Sequence, residues 1–217
     1  KLHEPYSSTR KLSMHSKQGS VIIFRHKKNH MQKRGYMGAL GNFFGDLKVL
    51  LAAATAKPPA PNEIASFGLL AEQNAAAYPN EVAIICEGET VTWQDLNKRA
   101  NRVASFLAEQ GVGHGDCVSL FMQNRIEFVV QLIGITKLGA IGGLINTNLI
   151  KQQLKHCITL TESKKCIFGE ELTTELNEIR DELGLQDGSD YLFVRDKGTE
   201  PAPNWAVEVD SQDSGLA

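Results

Sequence analysis

The sequence predicts an α/β fold, Rossmann-like and three-layered, with a mostly parallel sheet that reads as incomplete. Three observations carry this. Between residues 82 and 195, short apolar runs alternate with helical periodicity. Glycines such as Gly111, Gly115 and Gly139 sit where one type of element gives way to the next. With 42% hydrophobic residues in 217, the chain can bury one sizeable core.

In chain order, residues 1–36 hold nine Lys or Arg and one acid, Glu4, and residues 1–30 show no helical or strand period. This basic part is expected to be a disordered extension, with Met31 or Met37 as a candidate start; a genuine basic arm is the alternative. Residues 37–61 are read as an amphipathic helix and a linker. Met37, Leu40, Phe44, Leu47 and Leu51 recur at helical spacing, Phe43 widens the stripe, and three prolines, Pro58, Pro59 and Pro61, end it. A basic, aromatic-bearing helix of this kind can lie in a bilayer interface, so these six apolar residues are candidate membrane contacts. Docking on the chain's own domain is the competing reading, and Gly38, Gly41 and Gly45 weaken either helix.

Residues 62–217 form the main body. Ile64, Phe67, Leu70 and Ala71, at i, i+3, i+6 and i+7, predict a helix ending near Tyr78-Pro79-Asn80. Val82–Cys86 and Thr90–Trp93 read as a hairpin about Glu87-Gly88-Glu89, and Thr92 as the cap of the next helix, with Asp95 three residues on. That helix carries Leu96, Ala100, Val103, Ala104, Leu107 and Ala108 on one face and stops at Gly111. Then follow a strand at Val118–Met122, a helix through Phe128–Leu138, a strand at Ala140–Ile145, and a helix near Ile150–Leu160. A strand at Lys165–Phe168, a helix at Glu170–Leu183 and a strand at Tyr191–Val194 complete the alternation, which argues βαβ units. No unit is expected after the turn-rich run 196–204.

Charge narrows the function classes. The net charge of -2 hides a basic head and a body, 37–217, with 14 basic and 24 acidic residues, so the body is a poor nucleic-acid ligand. Cys86, Cys117, Cys157 and Cys166 form no CxxC pair and lie in or beside apolar runs, as reduced thiols of a cytoplasmic protein do. His156-Cys157 is the one His/Cys neighbour pair, and adjacent helix residues diverge too far to chelate one ion. Val21–Phe24 is too short for a signal-peptide core, and Val49–Ala56 falls far short of the roughly 20 residues of a spanning helix.

Six blocks then resemble the opening of the adenylate-forming (AMP-binding) ligases. They are Glu81-Val82-Ala83-Ile84, Thr90-Val91-Thr92-Trp93-Gln94-Asp95-Leu96, Asn101-Arg102-Val103-Ala104, Gly111-Val112-Gly113-His114-Gly115-Asp116, Asn124-Arg125-Ile126-Glu127-Phe128 and Lys137-Leu138-Gly139-Ala140. Their order across residues 64–170 carries the match. Asn146-Thr147-Asn148-Leu149 with Leu154-Lys155-His156-Cys157 looks like the branch of very-long-chain acyl-CoA synthetases and fatty acid transport proteins.

The resemblance implies part of a large N-terminal domain and a two-step reaction with ATP, Mg²⁺ and coenzyme A, in which a fatty acid becomes acyl-AMP and then a thioester. It also implies a phosphate loop of the form Ser-Gly-Thr-Thr-Gly followed by Pro-Lys. The nearest stretch here, Lys197-Gly198-Thr199-Glu200-Pro201, is only a turn-like echo, so no catalytic, cofactor-binding or metal-ligating residue is assigned and the fragment is expected to be inactive alone.

Two other classes compete. One is a non-catalytic fatty-acid uptake or membrane-surface module, peripheral at the inner face of a membrane. The other, an independent nucleotide-binding Rossmann domain, is disfavoured because no GxGxxG follows a strand. His114, in a glycine turn, is expected to be exposed, and His156 to pack or cap; neither has an acid or nucleophile at motif spacing. Glu170-Glu171 and Asp181-Glu182 are expected to form a solvated helix face.

Overall fold

The computed structural model describes residues 66–198 and 201–209 in full and residues 22–24 as backbone. The rest of the basic head and the stripe from Met37 to Leu51 lie outside the described residues.

Ile22–Phe24 forms strand β1 beside β2 (Val82–Cys86), in parallel, with Ile22 opposite Ile84. β3 (Glu89–Thr92) pairs antiparallel with β2. The hairpin turn is Glu87-Gly88, both with positive φ (50° and 92°), as a two-residue turn that matches strand twist requires. Trp93, expected in the strand, instead begins α2 (Trp93–Glu109). Thr92 caps it as predicted: its Oγ1 accepts the Asp95 amide at 3.2 Å and donates to the Asp95 carboxylate at 2.8 Å. Gly111 follows with φ 79°. Leu96, Ala100, Val103, Ala104 and Leu107 are buried as predicted, but Ala108 is exposed.

A second sheet carries the domain. Its strands are β4 (Cys117–Phe121), β5 (Ile141–Leu144), β6 (Lys165–Gly169), β7 (Tyr191–Val194) and β8 (Val207–Glu208), in the order β5-β4-β6-β7-β8, and every pair is parallel. The four strands read from sequence are all present within two residues of their expected bounds; β8 was missed because a two-residue strand has no period to read.

Alternation along the strands divides the core into two. Val118, Leu120, Ile167, Leu192 and Val194 face α2 and α3 (Ile126–Lys137). Phe121, Cys166, Phe168, Tyr191 and Phe193 face the other way, toward Leu154 and Ile158 of α4 (Lys151–Leu160) and Leu176 of α5 (Thr173–Asn177). Trp205, just before β8, stacks on Phe168 at 5.1 Å and meets Tyr191 edge-on at 5.4 Å. The result is the helix–sheet–helix sandwich that a parallel sheet needs to cover both faces.

One expected helix forms where it was predicted and another does not. α1 (Phe67–Ala77), opened by Ser66 accepting the Leu69 amide at 3.0 Å, buries Gly68 and Ala71 and leaves Phe67 56% and Leu70 43% exposed. The approach to α3 decides this. A Cβ at Gly68 would lie 2.8 Å from the Lys137 backbone nitrogen, so only a small-residue face fits, and Lys137 Nζ fastens the pair through Glu72 at 2.6 Å. The single helix expected at Glu170–Leu183 is instead a 3₁₀ turn (Glu170–Leu172), the short α5, and a second 3₁₀ turn (Arg180–Glu182). Glu170 and Glu171 are drawn off by partners described below.

α2 and α3 meet at Gly134, where an added Cβ would lie 2.5 Å from Val103 Cγ1 and 3.2 Å from the Ala100 carbonyl oxygen. Gly134→Ala gains up to about 1 kcal/mol in helix propensity and loses more to overpacking, for a net destabilisation of about 1–2 kcal/mol in urea unfolding. The loss shrinks in a Val103→Ala background, where the clashing methyl is gone.

All four cysteines are free thiols. Complete burial pushes the Cys166 thiol up to about 12, and burial with Glu87 and Glu127 nearby raises Cys86. Iodoacetamide at neutral pH therefore labels the half-buried Cys117 and Cys157 before Cys86 and Cys166, as peptide mass spectrometry of the native protein will read out.

Candidate functional site at the C-terminal edge of the sheet

In an open parallel sheet, ligands gather outside the carboxyl ends of the strands, at the point where successive connections leave in opposite directions. Here that point lies between β4 and β6, because the chain passes from β4 outward to β5 and then back across to β6. Two residue groups converge there: the turn after β4, Met122–Arg125, and Glu170-Glu171 after β6.

Arg125 precedes the first residue of α3 and is extended (φ -142°, ψ -176°), with no side-chain capping bond. Its guanidinium crosses the strand ends. Nη1 donates to Glu171 Oε2 at 2.5 Å, and Nη2 to the carbonyl oxygens of Val194 at 3.0 Å and Arg195 at 3.3 Å. Glu127 lies 3.7 Å from Nε and Asp196 3.7 Å from Nη1. The Arg125 side chain is only 12% exposed, so these contacts act in a weakly screening environment. Glu171 completes the link by accepting the Gln123 amide at 2.7 Å through Oε1.

The neighbouring Glu170 grips the loop after β7. Its Oε2 accepts the amides of Asp196 at 2.8 Å and Gly198 at 3.2 Å. Both carboxylates need a glycine opposite: a Cβ at Gly169 would fall 2.3 Å from Glu171 Oε2, and one at Gly198 would fall on Glu170 Oε1. Lys197 then reaches Glu87 of the hairpin turn at 2.8 Å, and Arg195 pairs with Glu208 of β8 at 2.7 Å. The expectation of a solvated face at Glu170-Glu171 is thus corrected, because backbone amides and Arg125 hold both carboxylates. Of the second pair, Asp181 is largely exposed, as expected, and Glu182 pairs with Lys155 at 2.5 Å.

The other sequence candidates lie apart from this clasp. Asn146 Oδ1 accepts the Asn148 amide at 3.0 Å in a local turn, and α4 begins at Lys151 with no side-chain cap. His114 is exposed, as expected, and packs where a Gly139 Cβ would sit, so Gly139 serves the glycine turn. His156 is exposed and takes no packing role. At the opposite edge, the Gly113 amide and then Lys164 hold the Asp116 carboxyl below its usual range. A shallow hollow of about 290 Å³ lined by Arg180, Asp187, Gly188, Asn204 and Trp205 also lies at that edge, away from the clasp. Among the described residues no three His, Cys, Asp or Glu side chains converge as a metal site, and no helix is long and apolar enough to cross a membrane.

Within its family block the role of Arg125 is not visible from the sequence. The signal was the coincidence of Arg125, directly after a strand, with acids directly after the next inner strand.

Comparison with known proteins decides the family. The family described as AMP-binding enzyme matches residues 71–214. The chain belongs to that family. Over 138 residues it is 35% identical to a medium/long-chain-fatty-acid–CoA/3-oxocholest-4-en-26-oate–CoA ligase of Mycobacterium marinum, covering 60% of this chain and 25% of that protein. It is 36% identical over 107 residues to long-chain fatty acid transport protein 6 of Homo sapiens, covering 49% of this chain and 17% of that one. An inhibitor-bound N-terminal domain of FACL13 from Mycobacterium tuberculosis superposes with a TM-score of 0.53 at 28% identity, over 60% of this chain and 33% of that one. The fold is therefore part of the large N-terminal domain of adenylate-forming enzymes. The chain spans about a quarter of the length of the fatty-acid ligase it matches.

Removing the guanidinium strips Glu171 of its cation and two carbonyls of their donor. Arg125→Ala is expected to destabilise the chain by about 2–4 kcal/mol in urea unfolding, as breaking a mostly buried pair does. Arg125→Lys, a point charge without the planar fork, falls between.

Proposed function

We propose that the chain is the N-terminal part of a long- or very-long-chain fatty acyl-CoA synthetase. The observation that carries this reading is the match of residues 71–214 to the AMP-binding family, joined to 35% identity over 138 residues with a fatty-acid CoA ligase. In the complete enzyme a fatty carboxylate oxygen attacks the α-phosphorus of ATP and pyrophosphate leaves. The thiol of coenzyme A then attacks the acyl carbon and AMP leaves, giving the thioester. ATP, Mg²⁺ and coenzyme A belong to that complete enzyme, which we take to be cytoplasmic. Residues 62–217 are its partial catalytic domain, residues 1–36 a basic extension and residues 37–61 a connecting segment.

Supporting a scaffold role for this part, the switch point of its sheet is filled by the Arg125–Glu171 pair. Arg125 and Glu170 fix the loop 195–198 instead of leaving an open crevice. Phosphate recognition needs converging donors or cations, and at this edge Arg125 Nη1 and the amides of Gln123, Asp196 and Gly198 are given to the protein's own carboxylates and Arg125 Nη2 to backbone carbonyls.

A second reading is a fatty-acid uptake module, favoured by the 36% identity with a long-chain fatty acid transport protein. Fatty-acid-dependent exchange of pyrophosphate into ATP separates the two. The 217-residue chain is expected to give no exchange, and the same residues joined to the remaining domains of the parent protein to give exchange that depends on a long acyl chain. Exchange by the short chain, or none by the long protein, would overturn the first reading.

A further inference from the structure

The outward face of α1 has no structural cause within the described residues. Phe67 and Leu70 lie three residues apart on it, 56% and 43% exposed, while small residues do the packing on the opposite side. Two large apolar groups side by side in water form a small patch that a further apolar segment can cover. Immediately upstream, the sequence carries an apolar stripe of matching character: Met37, Leu40, Phe44, Leu47 and Leu51.

The way this stretch is attached favours the chain itself as that partner. Residues 25–65 leave β1 at Phe24, which pairs with Cys86, and rejoin the body at Ser66, the cap of α1. The intervening 41 residues are thus tied to one domain at both ends, which holds the stripe at an effective concentration on the order of millimolar beside α1. Fifteen residues, 52–66, separate the stripe from Phe67. They reach up to about 50 Å when extended, so either orientation is accessible. Charge leaves this contact free to form, since residues 37–51 balance one base, Lys48, against one acid, Asp46. An anionic bilayer attracts the head but repels the body. Gly38, Gly41 and Gly45 lower the intrinsic helicity of the stripe, so it needs a preformed surface to order against.

We propose that residues 37–51 dock on the outer face of α1, across Phe67 and Leu70, as an intramolecular partner. Hydrogen exchange read by mass spectrometry on the whole 217-residue chain tests this, at two protein concentrations and with or without phosphatidylcholine/phosphatidylserine vesicles. The expected result is protection of 37–51 at both concentrations without lipid, lost about tenfold or more in Phe67→Glu with Leu70→Glu, while α2 and α3 keep their protection. If that pair unfolds the chain, Leu40→Glu with Phe44→Glu decides. Faster exchange in both 37–51 and 67–77 supports docking, and a change confined to 37–51 overturns it. Protection that is absent in the unaltered chain, indifferent to the α1 substitutions, confined to the higher concentration (a second copy) or dependent on vesicles (lipid) also overturns it.

Discussion

Five parallel strands without a hairpin among them can be joined only by crossovers, and both faces of such a sheet must be covered before its backbone is out of water. Much in this chain follows from that requirement. It explains why α2 and α3 lie on one face while α4, α5 and the 3₁₀ turns lie on the other, and why β6 and β7 are buried at every position. It also explains Gly134, since two helices sharing one face must approach closely enough that a single methyl group meets Val103.

The same requirement creates a problem at the carboxyl ends, where several strands finish beside one another and their turns diverge. Arg125 meets it. One guanidinium links the turn after β4, the acid after β6 and two carbonyls at the end of β7, and Glu170 adds the amides of Asp196 and Gly198. Its planar fork suits the task, since a carboxylate and carbonyls in different directions need several donors in fixed geometry. The two glycines that admit the carboxylates, Gly169 and Gly198, belong to this device as much as the charged residues do.

How much of this was legible in the sequence depended on the range of the signal. The cap at Thr92, the left-handed Gly111 and Gly115, and the strands at Val118, Lys165 and Tyr191 are local, and the residues themselves announce them. What was not legible depended on a distant neighbour. Which face of α1 packs is set by Lys137 of α3, whose backbone comes so near Gly68 that Ala71 is buried while Phe67 and Leu70 are left exposed. The helix expected from Glu170 breaks up as its first two acids turn to amides and a guanidinium 26 to 48 residues away in sequence. Membership of the AMP-binding family was readable from ordered short blocks, but the role of Arg125 within one of them appeared only when the strands stood side by side.

The placement of β4 between β5 and β6 also bears on how the sheet assembles. Cys117 pairs with Ile141, 24 residues on, whereas Val118 pairs with Lys165, 47 residues on. That is about one doubling in loop length, which costs only about 0.6 kcal/mol more in closure entropy. Against this small handicap, β6 is buried along its whole length, while β5 keeps Ile141 and Leu144 in water and contributes two glycines between them. The nearer strand in sequence is therefore the weaker neighbour: on these terms the wing through β6 and β7 is the one that holds β4 in place, and β5 is the strand that frays first.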